Sequence, residues 1–174
     1  MAILIGMRHI IAVLLQNEAG ALTRVAGLFS SRGYNIESLS VAPTHDPTVS
    51  RLTLVTSGSD AVMHQIANQL KKLIDVVSVE DMTRGEHIER ELALLKLRVD
   101  PARRERVRDY LERSGSGGSV LDPGGDCLIV ELLGSEAEVS THLRELGARA
   151  ELVEVVRSGA LGLSRDQRTL RVID

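Results

Sequence analysis

The chain has 174 residues, of which 43% are hydrophobic and 26% charged, with a net charge of −3 at pH 7. That balance suits one ordinary globular domain or two small ones, and with a pI near 6.0 it argues against general affinity for nucleic acid or anionic membranes. The one cysteine, Cys127, excludes an intrachain disulfide and fits a reducing compartment; its strand-like surroundings suggest a buried structural thiol. With one Phe, two Tyr and no Trp, the core must be built of Leu, Val, Ile and Ala, and stacking platforms for bases or sugars are scarce.

Arg8 and His9 interrupt the apolar start of the chain, whose longest unbroken run is too short to span a bilayer. The charge follows the first apolar stretch instead of preceding it, and no small-residue cleavage site is evident. A mature cytoplasmic protein with a few extra residues before Met7 is therefore expected. Ile10 to Leu15 is continuously apolar, as in a strand buried on both faces. Leu22, Val25, Ala26 and Phe29 then recur at helical spacing, and Gly33 is placed to end that helix. Residues 35–42 alternate as a strand, a loop follows at 43–47, and Arg51 to Thr56 alternates again with Leu52 and Leu54 on one side. Ser57-Gly58-Ser59-Asp60 opens a second helix carrying Val62, Ile66, Leu70 and Leu73, and Val76 to Met82 is a fourth strand. The order is βαββαβ.

That order then repeats. Leu92 to Val99 is a strand, and Asp100-Pro101 is a cap followed by proline at the first helical position. Val107, Tyr110 and Leu111 give this third helix its apolar side. Ser119 to Leu121 and Cys127 to Leu133 are strands joined by the hairpin turn Asp122-Pro123-Gly124-Gly125-Asp126. Ser135 and Glu138 match a capping box, Val139, Leu143 and Leu146 form a stripe, Gly147 stops the helix, and Ala150 to Val156 is the last strand. The fold class is α+β, with two ferredoxin-like βαββαβ domains. The expected division is 1–84, with a core over about 8–82, and 85–174, with a polar tail from about 158. Domains this small with an uncovered sheet face and free edges favour a dimer.

The turn Gln16-Asn17-Glu18-Ala19-Gly20 runs from an apolar strand directly into a helix, which leaves backbone N–H groups at the helix start where a small carboxylate could bind. Asn17, Gly20 and Asn35 suit a purely structural turn or cap equally well. The five histidines, at 9, 45, 64, 87 and 142, show no metal-ligand spacing, and His64 and His142 fall on predicted solvent-facing helix positions. His45-Asp46 is the one mild metal candidate. The mixed-sign run Arg103 to Asp109 reads as a solvated helix face, and the glycine-rich Ser114 to Ser119 lacks the lysine and helix of a phosphate loop. No nucleophile–base set is placed where catalysis could be argued.

Leu14-Leu15-Gln16-Asn17-Glu18-Ala19-Gly20-Ala21-Leu22 and Arg32-Gly33-Tyr34-Asn35-Ile36-Glu37-Ser38-Leu39 closely resemble the small, regulatory subunits of acetolactate synthase (acetohydroxyacid synthase). So do Val41-Ala42-Pro43-Thr44, Asp46-Pro47-Thr48, Ser50-Arg51, Glu89-Arg90-Glu91-Leu92, Val153 to Gly159 and Gly162-Leu163-Ser164-Arg165. The likeness runs from Met7 to about Arg171. It implies an N-terminal ACT domain, an ACT-like C-terminal domain, and no catalysis or cofactor in this chain. The implied partner is a catalytic large subunit that uses thiamine diphosphate, Mg²⁺ and FAD to condense 2-oxo acids in branched-chain amino-acid synthesis. The small subunit would activate it and confer feedback inhibition by valine, bound between paired ACT domains. By that likeness Asn17, Ala19, Gly20, Ala21 and Leu22 of one subunit, with Asn35 and Ile36 of the other, surround the effector. Ala19 and Thr23 stand where family members often carry Ser, which bears on the strength of inhibition.

Two other classes lack the sequence features that they require. A free-standing amino-acid sensor regulating transcription would need a DNA-binding segment, and a small ferredoxin-like enzyme would need clustered titratable groups.

Overall fold

In the computed structural model, which describes residues 7–115, 117–122 and 125–165, His9 to Leu15 is buried without interruption inside β1 (Met7–Gln16). The strand lies between two antiparallel neighbours, β3 (Val49–Gly58) and β4 (Val76–Asp81), and β2 (Ser38–Pro43) extends the sheet beyond β3. The order is β2-β3-β1-β4. Alternation along β1 sends Ile11, Val13 and Leu15 to one face, where they pack with Leu52 and Leu54 against α1 (Ala21–Ser31) and α2 (Asp60–Leu70). Ile10 and Ala12 point to the other face, where Val55, Met82 and Ala160 cover them. Each large aliphatic side chain so buried contributes roughly 1.5–3 kcal/mol.

The βαββαβ order is as the sequence predicts, with shifts at particular elements. The buried stripe of α1 is Ala21, Val25 and Phe29, so Leu22 lies outside it at 36% exposure. Of the predicted positions Val25 and Phe29 are buried and Ala26 is half-buried, while Ala21 takes the place of Leu22. In α2, Ser59 caps the helix by accepting from the Val62 N–H, and Met63, Ile66 and Leu70 are buried. The second strand starts at Ser38, opposite Val55, so Asn35 and Ile36 precede it. The third strand extends past the predicted 51–56 at both ends, because Val49 and Ser50 pair with Gln16 and Leu15 of β1, and Ser57 and Gly58 with Arg8 and Met7.

Chain contacts define two units: one is the chain up to Ile88 together with the segment from Ala160 onward, the other is Glu89 to Gly159. The segment expected as a polar tail from 158 thus begins differently. Ala160 is buried, its N–H donates to Ser38 Oγ at 3.3 Å, and β9 (Leu161–Ser164) follows. Leu170 to Asp174, and residues 1–6, lie outside the described residues.

In the second unit β5 (His87–Arg98) is flanked by β7 (Cys127–Gly134) and β8 (Glu151–Arg157), and β6 (Ser119–Asp122) lies at the far edge, in the order β6-β7-β5-β8. The helices are α3 (Arg104–Arg113) and α4 (Glu136–Gly147), which pack Val107, Leu111, Val139 and Leu146 onto Leu95, Leu97, Leu128 and Val130. Asp100 caps a short 3₁₀ turn with Pro101 in its first position. Ser135 and Glu138 form the reciprocal capping box. Of the predicted hairpin turn, Pro123 and Gly124 lie outside the described residues. Glu91, only 3% exposed, is held by Arg157 through Nε–Oε1 at 2.9 Å and Nη2–Oε2 at 2.5 Å. Cys127 is half-buried at the start of β7, less enclosed than its apolar run suggests.

Candidate functional site

The turn between β1 and α1 is fixed at both ends. Asn17 donates its backbone N–H to Thr48 O at 2.7 Å and its side-chain Nδ2 to Pro47 O at 2.9 Å, which ties it to the β2–β3 loop. That loop is itself set by Asp46, whose Oδ1 accepts from the Thr48 N–H and hydroxyl. The Thr48 hydroxyl and backbone N–H hold the Asp46 carboxyl below its usual range. The carboxylate of the His45-Asp46 pair is therefore occupied in a turn. Among the described residues no group of three His, Cys, Asp or Glu side chains could hold a metal.

Gly20 is the N-cap of α1 at φ +90°, a conformation that L side chains rarely adopt, and no side chain caps the helix. Ala21 differs from the simplest reading of the site. Its side chain is buried, and its N–H already donates to Glu18 O at 3.2 Å. The amides left at the open first turn are those of Leu22 and Thr23. Asn17, Ala19 and Gly20 are exposed, and Leu22 lies at the border of exposure.

Asn35 is exposed; its carbonyl accepts from Thr56 Oγ1 at 2.6 Å, which fixes the approach to β2. Ile36 is half-buried against the helix-side core. Within one chain no described hydrogen bond joins these two residues to the 17–22 turn.

Sequence reasoning missed Arg24 and Asp75. Arg24 grips Asp75 through Nε on Oδ2, and through Nη2 on Oδ1 at 2.7 Å. The Asp75 side chain is 6% exposed and the Arg24 side chain 46%. The hydrogen bond from Arg24 holds the Asp75 carboxyl below its usual range, and the same bond raises Arg24. Asp75 O also accepts the Gln16 N–H at 2.8 Å. One residue therefore anchors the end of β1 and the first turns of α1 on either side of the candidate turn. The available signal was a charged residue between Ile74 and Val76, in a stretch that otherwise feeds a strand.

His64 is exposed as predicted, whereas His142 is half-buried and pairs its Nδ1 with Tyr110 OH at 2.6 Å. Burial raises the Tyr110 hydroxyl above its ordinary value.

Residues 11–78 match the family model of the AHAS small subunit-like ACT domain, and residues 90–166 match that of the small subunit of acetolactate synthase. The isozyme 3 small subunit of Salmonella typhimurium is 47% identical over 95% of this chain and all of its own length. The chain belongs to the acetolactate synthase small-subunit family. The Escherichia coli isozyme 3 small subunit is 46% identical over the same shares. The crystal structure of the acetolactate synthase small subunit from Thermotoga maritima superposes with a TM-score of 0.81 at 29% identity, covering 93% of this chain and 99% of that one. As an acetolactate synthase small subunit, the chain pairs an ACT domain with a second domain of the same α+β order. The Asn17 to Leu22 turn and residues Asn35 and Ile36 all fall within the ACT match.

Proposed function

We propose that this chain is the non-catalytic regulatory subunit of a cytoplasmic acetolactate synthase, raising the activity of a large subunit and transmitting feedback inhibition by valine. The observation that carries this reading is the full-length match to curated small subunits in both halves of the chain. The large subunit supplies the chemistry with thiamine diphosphate, Mg²⁺ and FAD.

The effector binds between two ACT domains of a homodimer. Asn17, Ala19, Gly20, Ala21 and Leu22 come from one copy, Asn35 and Ile36 from the other. The open first turn of α1 favours a carboxylate through its free amides and helix dipole. Leu22 and Ile36 offer apolar surface to a short branched side chain, where each methylene discriminates by about 1–3 kcal/mol. Because two copies share the ligand, binding couples to dimer geometry, and inhibition follows from a difference in affinity between active and inhibited assemblies.

Association is tested by mixing the full chain with a purified acetolactate synthase large subunit and following both by size-exclusion chromatography. Co-elution as one complex is expected. Separate elution of both proteins at micromolar concentration contradicts the reading and leaves a free-standing amino-acid sensor as the better description.

A further inference from the structure

We infer that Arg24 is a specificity-determining residue of the effector site, reading the ligand's carboxylate with the guanidinium nitrogen that Asp75 leaves free. The inference rests on the effector reading above and adds to it a residue outside the 17–22 and 35–36 set. Arg24 Nε and Nη2 are both committed to Asp75. Nη1 has no hydrogen bond among the described residues. It lies 3.1 Å from where a Cβ on Gly20 would stand, so the guanidinium occupies the space directly over the left-handed cap. The Arg24 backbone N–H donates to Gly20 O at 3.0 Å, the first hydrogen bond of the helix from its cap.

The pair divides the work. Asp75 is buried and cannot itself reach solvent, whereas Arg24 is about half exposed. A guanidinium is planar, with its donors in a fixed fork. Two of its nitrogens on a buried carboxylate therefore fix the direction of the third. Nη1 is thereby held over Gly20, the cap from which the open first turn of α1 starts. A ligand carboxylate seated there meets backbone N–H groups on one side and a fixed cation on the other. Charge-assisted bonds of this kind are shorter and stronger than neutral ones. Glu18 adds charge near Arg24 without bonding to it.

Calorimetry on the full chain with valine and with valinamide, which lacks the carboxylate, tests the assignment. The wild type is expected to bind valine. Arg24→Gln should weaken valine by about tenfold or more while changing valinamide by less than about twofold. Arg24→Lys keeps the charge but replaces the planar fork with a compact ammonium on a flexible stem, so the direction that two-point pairing with Asp75 imposes is lost. It should show the same selective loss, and it keeps the test meaningful if Arg24→Gln fails to fold. Equal affinity for valine in the wild type and the Lys variant, or equal loss of valine and valinamide, overturns the assignment of Arg24 alone. A wild type that binds neither ligand overturns the effector reading itself.

Discussion

Arg51 on β3 donates through Nη2 to the carbonyl of Gly162 on β9 at 2.9 Å. The bond spans 111 positions of sequence and fastens the returning segment to the ACT sheet. Burial lowers the Arg51 guanidinium from its ordinary value, so the carbonyl serves a partly desolvated cation. A Cβ at Gly162 would stand 2.5 Å from Met82 Cε and 2.9 Å from Ile10 Cδ1. Gly162→Val is expected to cost about 1–3 kcal/mol, since overpacking a filled site forces side chains off their rotamers. Chemical denaturation of the full chain checks this, with the shift expected in the midpoint of the transition that reports the ACT unit.

Gly20→Asp should abolish valine binding to the chain. The variant places a side chain on the φ +90° cap, at a backbone cost of about 1–2 kcal/mol. Its carboxylate would also stand beside Arg24 Nη1, where the effector carboxylate is expected. Calorimetry with valine reads the loss. Retention of wild-type affinity would place the site elsewhere.

The pH dependence of stability follows from Asp75 and Glu138. Arg24 lowers Asp75, and the Ser135 N–H and hydroxyl lower Glu138. A carboxyl lowered in the folded state stabilises at pH values above its unfolded value, near 4, and that stabilisation is lost as pH falls through the folded value. Thermal melting should therefore show Tm nearly constant from about pH 7 to 5 and falling below about pH 4. Asp75→Asn should lower Tm at neutral pH and flatten part of the acid decline.

Ser135→Ala removes the hydroxyl that accepts from the Glu138 N–H at 3.3 Å, while Glu138 Oε2 accepts the Ser135 N–H at 2.7 Å. The expected loss is about 1 kcal/mol, typical of an N-cap. Urea unfolding monitored by far-UV circular dichroism checks it.

Periodicity carried most of the fold. The unbroken run Ile10 to Leu15 announced a strand covered on both faces, and Ser135 with Glu138 announced a helix start, because both signals are local. On α1 the predicted Val25 and Phe29 are buried, but Ala21 and not Leu22 completes the stripe, because periodicity alone does not distinguish adjacent rows in the first turn. The role of Ala160 to Ser164 was hidden because it depends on contacts with Ile10, Ser38, Arg51 and Met82, distant in sequence. At the candidate site, Asn17 and Gly20 were legible from turn chemistry. Arg24 and Asp75 were not, because an ion pair across 51 positions leaves no periodic trace.

The most direct measurement is acetolactate formation by the large subunit alone, with this chain, and with this chain plus valine. The account predicts stimulation on adding the chain, and reversal of much of that stimulation by valine. No stimulation, or stimulation that valine leaves untouched, would contradict it.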